Sequence, residues 1–329
     1  MGASVLQVKN LRTVLDLATG SVPVVDDVSF DVGAGETLGI VGESGSGKSM
    51  TALSIMQVLP QPIGRIESGE ILLDQTDLVG LPEEEIAKVR GRDIGMILQD
   101  PHTSLNPVFT IGNQVIEALQ INNPGTPRKS LLGRVVDLLR QVNVADAERR
   151  VHAYPHQMSG GMKQRVVGAI AIAGAPKVII ADEPTTALDV TIQLQYLELL
   201  RDIQEETGTA IIFITHDLGI VAKLCHKLVV MYGGKIVESG TVADVFRAPS
   251  HPYTEALLKS VPSVDQKVDR LYAIDGQPPA LSVDRKGCSF APRCPYVRDI
   301  CTHQVPQHDA GLSGADTHLA ACWNMGRDR

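Results

Sequence analysis

Gly42-Glu43-Ser44-Gly45-Ser46-Gly47-Lys48-Ser49 decides how this chain is read. It fits G-x-x-x-x-G-K-[ST], a loop whose glycines let backbone N–H groups curl around phosphates without Cβ clashes. Leu38-Gly39-Ile40-Val41 is a short apolar strand before the loop, and the pattern predicts a helix from Ser49 to Leu59, stopped by Pro60. The positive end of that helix reinforces an anion site. Gly42 to Lys48, with Ser49 and Met50 opening the helix, are the expected nucleotide-binding residues. Lys48 is expected to reach the β- and γ-phosphates, and Ser49 to hold Mg²⁺.

Further along the chain, Val178-Ile179-Ile180-Ala181 and Ala210-Ile211-Ile212-Phe213-Ile214 are two more buried strands. Strands alternating with helices predict an α/β fold whose parallel sheet is covered on both faces. Asp182-Glu183 ends the first of these strands, where an acid beside a phosphate loop can hold Mg²⁺ and its neighbour can activate water. An acidic pair after a strand is otherwise usually a solvated loop, so the reading depends on the phosphate loop. His216 follows the second strand in the same way and is a candidate for γ-phosphate contact, although a lone His is more often structural. Gln99 follows the strand Ile94 to Leu98 and by itself carries no signal.

Val5 to Val14 and Val22 to Val32 predict antiparallel strands around Thr19-Gly20-Ser21. Between Asp100 and Pro176 the apolar spacing is helical, as in Leu131, Val135, Leu138, Leu139 and Val142. Leu228 to Glu238 predicts a hairpin around Gly233-Gly234. After about Ser250 the composition turns to Pro, Cys and polar residues. The expected domains are 1–250, with a helical part at about 100–176, and 251–329. Ser159-Gly160-Gly161 precedes a helix expected from Met162 to Ala173, either as a plain N-cap or as a second anion-binding helix end. One nucleotide does not need two such ends in one subunit, so the second would serve a nucleotide held by another protomer.

The 329 residues are 43% hydrophobic, enough for one large domain or two smaller ones. A net charge of -8 and only 4% aromatic residues argue against a nucleic-acid-binding surface. No stretch reaches the roughly 20 apolar residues of a membrane span. The beginning, MGASVLQVKNLR, lacks a basic and then apolar leader, and Leu6 breaks the myristoylation pattern. The chain is expected at the cytosol or held to a membrane by partner chains.

The ordered set GESGSGKS at Gly42, QDP at Gln99, SGGMKQR at Ser159, VIIADEPTTALD at Val178 and THD at Thr215 resembles the nucleotide-binding domain of ABC transporters. SLNP at Ser104, YPHQMSGG at Tyr154, DVTIQ at Asp189 and HPYT at His251 are similar to the oligopeptide/dipeptide importer branch. The resemblance implies a RecA-like P-loop core, an N-terminal antiparallel β-subdomain, a helical subdomain and a Cys-rich extension. It implies two cassettes that sandwich two ATP molecules, each between one P-loop and the partner's Ser159-Gly160-Gly161. Glu183 and His216 would be catalytic, and Ser49, Gln99 and Asp182 would serve Mg²⁺, with Gln99 also linked to the membrane subunits. Asp189 would lie at the protomer interface. The implied partners are two transmembrane permease subunits, a second ATPase chain and, indirectly, an extracytoplasmic binding protein. The implied place is the cytoplasmic face of the cell membrane. Members of the branch handle dipeptides, longer peptides, glutathione-like compounds, murein fragments and nickel chelates; a soluble, non-transport cassette is the distant alternative.

The signature reads Met158-Ser159-Gly160-Gly161-Met162 in place of LSGGQ, which keeps the Ser and both glycines. The family's adenine-stacking ring is missing: residues 1–29 contain no Phe, Tyr or Trp, and Leu15 is the nearest positional substitute. Cys288, Cys294, Cys301 and Cys322 are separated by five, six and twenty residues. Four soft ligands in a reducing compartment favour zinc or an iron–sulfur cluster over disulfides. Peptide importers similar over G-C-x-F-x-P-R-C-P imply a [4Fe–4S] cluster here, with zinc as the alternative. Cys225 is expected to be an ordinary buried thiol.

Overall fold

The computed structural model describes residues 4–186, 188–261, 272–279, 282 and 286–325. Ala187 of the VIIADEPTTALD run, and residues 1–3 of the beginning, lie outside them. In chain order the elements open with strands β1 (Ser4–Leu17), β2 (Gly20–Gly33) and β3 (Thr37–Val41), then helix α1 (Lys48–Met56). Strands β4 (Gly64–Leu73) and β5 (Thr76–Asp77), helix α2 (Glu83–Val89) and strand β6 (Ile94–Ile97) follow. A helical stretch holds α3 (Pro101–Ser104), α4 (Ile111–Asn122), α5 (Arg128–Gln141), α6 (Ala147–Arg150) and α7 (Gly160–Ile172). Next are β7 (Val178–Asp182), α8 (Val190–Thr207), β8 (Ala210–Thr215), α9 (Leu218–Leu224), β9 (Lys227–Tyr232) and β10 (Lys235–Thr241). The last elements are α10 (Val242–Arg247), α11 (Pro252–Ser260), α12 (Asp299–His303), β11 (Asp309–Ala310) and β12 (Leu319–Ala320).

The chain forms two compact units: Met1–Val5, Val32–Glu36 and Gly80–Phe213 make the first, and Leu6–Asp31, Thr37–Val79 and Ile214–Arg329 the second. In the second unit β3 runs parallel to β9, with Ile40 opposite Val229, and every residue of β3 is buried. That is the continuous apolar run of a strand covered on both faces. β9 turns through Gly233 and Gly234, both at positive φ, into antiparallel β10, as two-residue hairpins require. β10 then pairs with β12 through Glu238 and Ala320. Glu238 is fully buried yet bonded: its oxygens accept from Ser250 N (2.7 Å) and His251 N (2.8 Å) and meet His318 Nε2 at 2.8 Å.

The same unit holds an antiparallel sheet in the order β2-β1-β4-β5. β4 has no counterpart in the sequence reading, because Gly64-Arg65 and Ser68-Gly69-Glu70 mask its apolar alternation. It pairs with β1 through Leu6–Leu73 and Val8–Ile71, and the register shifts between Lys9 and Arg12. α1 ends at Met56, earlier than Pro60 suggested. Gln57 turns left-handed at φ 50°, and its N–H donates to Ser54 O at 3.1 Å.

In the first unit β6 and β7 are parallel, with Ile94 opposite Val178 and Ile97 opposite Ala181. α7 begins two residues before the predicted start. Gly160 and Gly161, expected just before the helix, form its first turn, and Ser159 caps it. Arg165, on the buried side of α7, donates to Val142 O and Gln195 Oε1, both at 3.0 Å, and so fixes α7 against the end of α5 and against α8.

Candidate active site

The loop from Gly42 to Gly47 is shaped by three glycines at positive φ: Gly42 (154°), Gly45 (78°) and Gly47 (103°). A Cβ on Gly47 would lie 2.7 Å from Val24 O, so only glycine lets the chain pass there. Lys48 is buried, and its Nζ donates to Gly42 O (2.8 Å) and Glu43 O (3.0 Å), inside the curve of the loop. Ser46 is 3% exposed and its Oγ has no hydrogen-bond partner among the described residues. A buried orphan hydroxyl costs about 1–3 kcal/mol unless a ligand meets it. A glycine-framed curve, a buried ammonium and an unmet hydroxyl at the start of α1 fit a polyphosphate. Ser49 stands in the first turn of α1.

Asp182 is the last residue of β7 and 7% exposed. Glu183 follows at φ 47°, a left-handed conformation that costs a non-glycine residue about 1–3 kcal/mol and clusters at functional sites. Its Oε2 accepts from Gln99 Nε2 (3.1 Å) and Thr186 Oγ1 (3.0 Å). Two donors hold a carboxylate in one orientation, as a residue that aims a water requires. Gln99, a candidate only through the family resemblance, is thus joined to Glu183; Thr186 was not foreseen, and its only signal is its place in the DEPTT run.

On α7, the Ser159 Oγ accepts from Met162 N at 3.4 Å, a weak cap by an exposed serine at a helix start, where the first N–H groups have no partner within the helix. Asp189 caps α8 by accepting from Thr191 N and Ile192 N, both at 3.1 Å. A Cβ on Gly161 would lie 3.0 Å from Ile192 Cγ2, so the signature glycine and the start of α8 fit together. Val190 (74%) and Leu194 (43%) stand exposed beside Asp189. His216 is exposed at the end of β8, just before Asp217, whose carboxylate caps α9 through Gly219 N at 2.7 Å.

Two residues that meet the phosphate loop were missed. Tyr253 Oη accepts from Glu43 N at 2.8 Å, and Arg293 forms an ion pair with the Glu43 carboxylate at 2.6 Å. Both stand in motifs quoted above for other reasons, HPYT as a mark of the branch and G-C-x-F-x-P-R-C-P for its cysteines.

Residues 25–186 match the ABC transporter family, and residues 237–301 match the oligopeptide/dipeptide transporter C-terminal region. The chain is 47% identical to the dipeptide transport ATP-binding protein DppD of Lactococcus lactis, over 97% of this chain and 90% of that protein. It is also 47% identical to the oligopeptide transport ATP-binding proteins OppD and AppD of Bacillus subtilis, over 98% and 92% of this chain and 89% and 92% of theirs. This chain belongs to the ATP-binding subunits of ABC transporters, in the oligopeptide/dipeptide branch. A dimeric ATP-binding cassette solved in a post-hydrolysis state with ADP and Pi superposes with a TM-score of 0.65 at 26% identity, over 72% of this chain and 98% of that one. CbiO1 of Clostridium perfringens, part of an ABC transporter complex, gives 0.63 at 28% identity, over 74% and 91%. The fold is that of an ABC ATPase, and the chain is an ATP hydrolase of that family.

The metal expectation for this ABC subunit is corrected. Among the described residues no group of three or more His, Cys, Asp or Glu is arranged to hold a metal ion. Cys288, Cys294, Cys301 and Cys322 do converge, but around an apolar void of about 20 Å³ shared with Phe290 and Trp323. That is room for about one water, not for four irons and four sulfides. Burial pushes the metal-free Cys288 thiol up to about 11. The expected [4Fe–4S] cluster, and zinc in its place, are therefore not supported. Cys225, also without a disulfide, is half-buried rather than fully buried as expected, and its thiol is pushed up to about 12 by desolvation.

Proposed function

We propose that this chain hydrolyses ATP to drive uptake of di- or oligopeptides through a membrane transporter. The observation that carries the reading is the joint match of the cassette and the oligopeptide/dipeptide C-terminal region in one chain that aligns end to end with peptide-transport ATP-binding proteins. The P-loop geometry supports its first half: Lys48 and the loop N–H groups would receive the β- and γ-phosphates of ATP. Ser49 and Asp182 would hold Mg²⁺, which when bound neutralises charge on the β- and γ-oxygens. Glu183, fixed by Gln99 and Thr186, would orient a water and take its proton as the oxygen attacks phosphorus. The bond to the β–γ bridging oxygen then breaks, leaving ADP and Pi. His216 would contact the γ-phosphate as it separates.

The open helix end at Ser159-Gly160-Gly161 supports a role toward ATP held by a second cassette, as does the exposed apolar pair Val190 and Leu194 beside Asp189. Two permease subunits and an extracytoplasmic receptor complete the proposed assembly. No helix among the described residues is long and apolar enough to cross a membrane, which agrees with peripheral attachment to the permeases at the cytoplasmic face. The test is ATPase activity of the reconstituted complex with receptors carrying di-, oligo- and non-peptide ligands. Stimulation by peptide-loaded receptor supports the reading. Stimulation only by a metal chelate, or by nothing, removes peptides from it.

A further inference from the structure

Glu43, the first variable residue of the phosphate loop, is held from three sides. Its carbonyl accepts from Lys48 at 3.0 Å, its N–H donates to the Tyr253 hydroxyl at 2.8 Å, and its carboxylate meets Arg293 through both oxygens at 2.6 and 3.1 Å. The Arg293 side chain is 5% exposed and that of Glu43 24%, so this is not a solvated surface pair. Arg293 is itself built in: Nε donates to Asp275 O (2.8 Å), Nη2 to Ile274 O (3.2 Å) and Nη1 to the Tyr232 hydroxyl (3.1 Å). All five guanidinium N–H groups thereby have acceptors, and the fork cannot swing away without stranding several of them. Beneath it Tyr232, Tyr253 and Phe290 stack edge to face and tilted, with centroids 4.5–5.4 Å apart. A segment 250 residues from the phosphate loop in sequence thus sets the charge and shape of that loop.

We infer that Arg293 is a positioning residue for ATP, holding the Glu43 carboxylate neutralised and aimed away from the incoming triphosphate, with Tyr253 fixing the adjacent backbone. The inference rests on the ATPase reading above. Its physical core is electrostatic: an unpaired carboxylate inside a phosphate-binding loop repels a polyanion, whereas a paired one does not. Removing Arg293 therefore harms ATP binding through Glu43, and removing both charges should restore much of it. A merely structural arginine would show no such rescue.

The test uses the full chain in the reconstituted transporter. Arg293→Gln is expected to raise KM for ATP about 10-fold while kcat stays within about 2-fold, a size typical of coupling between sites. Glu43→Gln with Arg293→Gln should bring KM back to within about 3-fold of wild type, a non-additive cycle. Tyr253→Phe, which keeps the ring in the core and removes one oxygen, should raise KM about 3-fold even if the arginine variant does not fold. An unchanged KM in the variants that fold, or a double variant worse than Arg293→Gln alone, would overturn the inference. Wild-type complex that fails to bind ATP would overturn the ATPase reading and this inference together. Wild-type binding with unaltered variants would overturn the inference alone.

Discussion

Two helices of this chain start where an anion could sit, and they are finished to very different degrees. The start of α1 is enclosed by its own chain: Gly47 passes under Val24 O, Lys48 is buried, and Glu43 is tied to Arg293 and Tyr253. The start of α7 has only the 3.4 Å cap of an exposed Ser159, and nothing lies within 4 Å of a Cβ placed on Gly160. A loop walled in by its own chain is a site that can hold phosphate alone. An open helix end with a serine and two glycines has no such walls, and under the proposed function it meets the ATP of a second cassette. The chain thus carries one enclosed loop and one open helix end, the two features that the proposed pairing of cassettes uses.

The first way to strain this contrast leaves both helix ends intact and removes the chemistry. Glu183→Gln keeps the size of the side chain and the contact with Gln99, so ATP binding should persist while turnover falls about 10²–10³-fold. Single-turnover hydrolysis in the assembled complex measures it, and near-normal hydrolysis would free Glu183 from its assigned role. A second comparison sets Gly47→Ala against Gly160→Ala. The first adds a methyl at φ 103° and 2.7 Å from a carbonyl oxygen, and should cost about 1–3 kcal/mol of stability and disturb the P-loop. The second adds a methyl into open space at a helical position, and should be neutral or stabilising by up to about 1 kcal/mol. Denaturant melts of the two variants would erase the contrast if they shifted equally.

The smallest effect concerns the strand that leads into the P-loop. Cys225 Sγ lies over Gly39, 3.0 Å from where a Cβ would sit, and burial pushes the thiol from an ordinary value near 9 up to about 12. Below pH 9 both the folded and unfolded states keep the proton, so the contribution is fully present. Between pH 9 and about 12 the unfolded chain ionises first and this contribution is lost. Stability of the wild type relative to Cys225→Ala should therefore be constant from pH 7 to 8.5 and decline above it. A difference independent of pH up to 11 would show that the thiol is not enclosed.

Much of this was legible in the sequence for local reasons. Gly42 to Ser49 could be read because few chemistries need glycines and a lysine at that spacing, and β3, β7 and β8 because buried parallel strands are uninterrupted apolar runs. What escaped was non-local or locally disguised. Gln99 reaches Glu183 across 84 residues and Arg293 reaches Glu43 across 250, and no window on the sequence spans either pair. β4 hid behind its glycines, and the glycines of α7 made the helix look two residues shorter at its start. The four cysteines misled because composition reports which ligands are present, not the size of the space they enclose.

The most direct test of the central claim is a pair of measurements on Ser159→Arg, a substitution at the open end of α7. One is ATP affinity of the isolated chain, and the other is turnover in the assembled transporter. Affinity should be unchanged, because the chain's own P-loop is enclosed without Ser159, and turnover should fall at least about 10-fold, because the partner's ATP loses the Ser159 contact. Affinity falling in the isolated chain in step with turnover would mean that Ser159 serves the chain's own nucleotide, and the proposed division of roles between the two helix ends would be wrong.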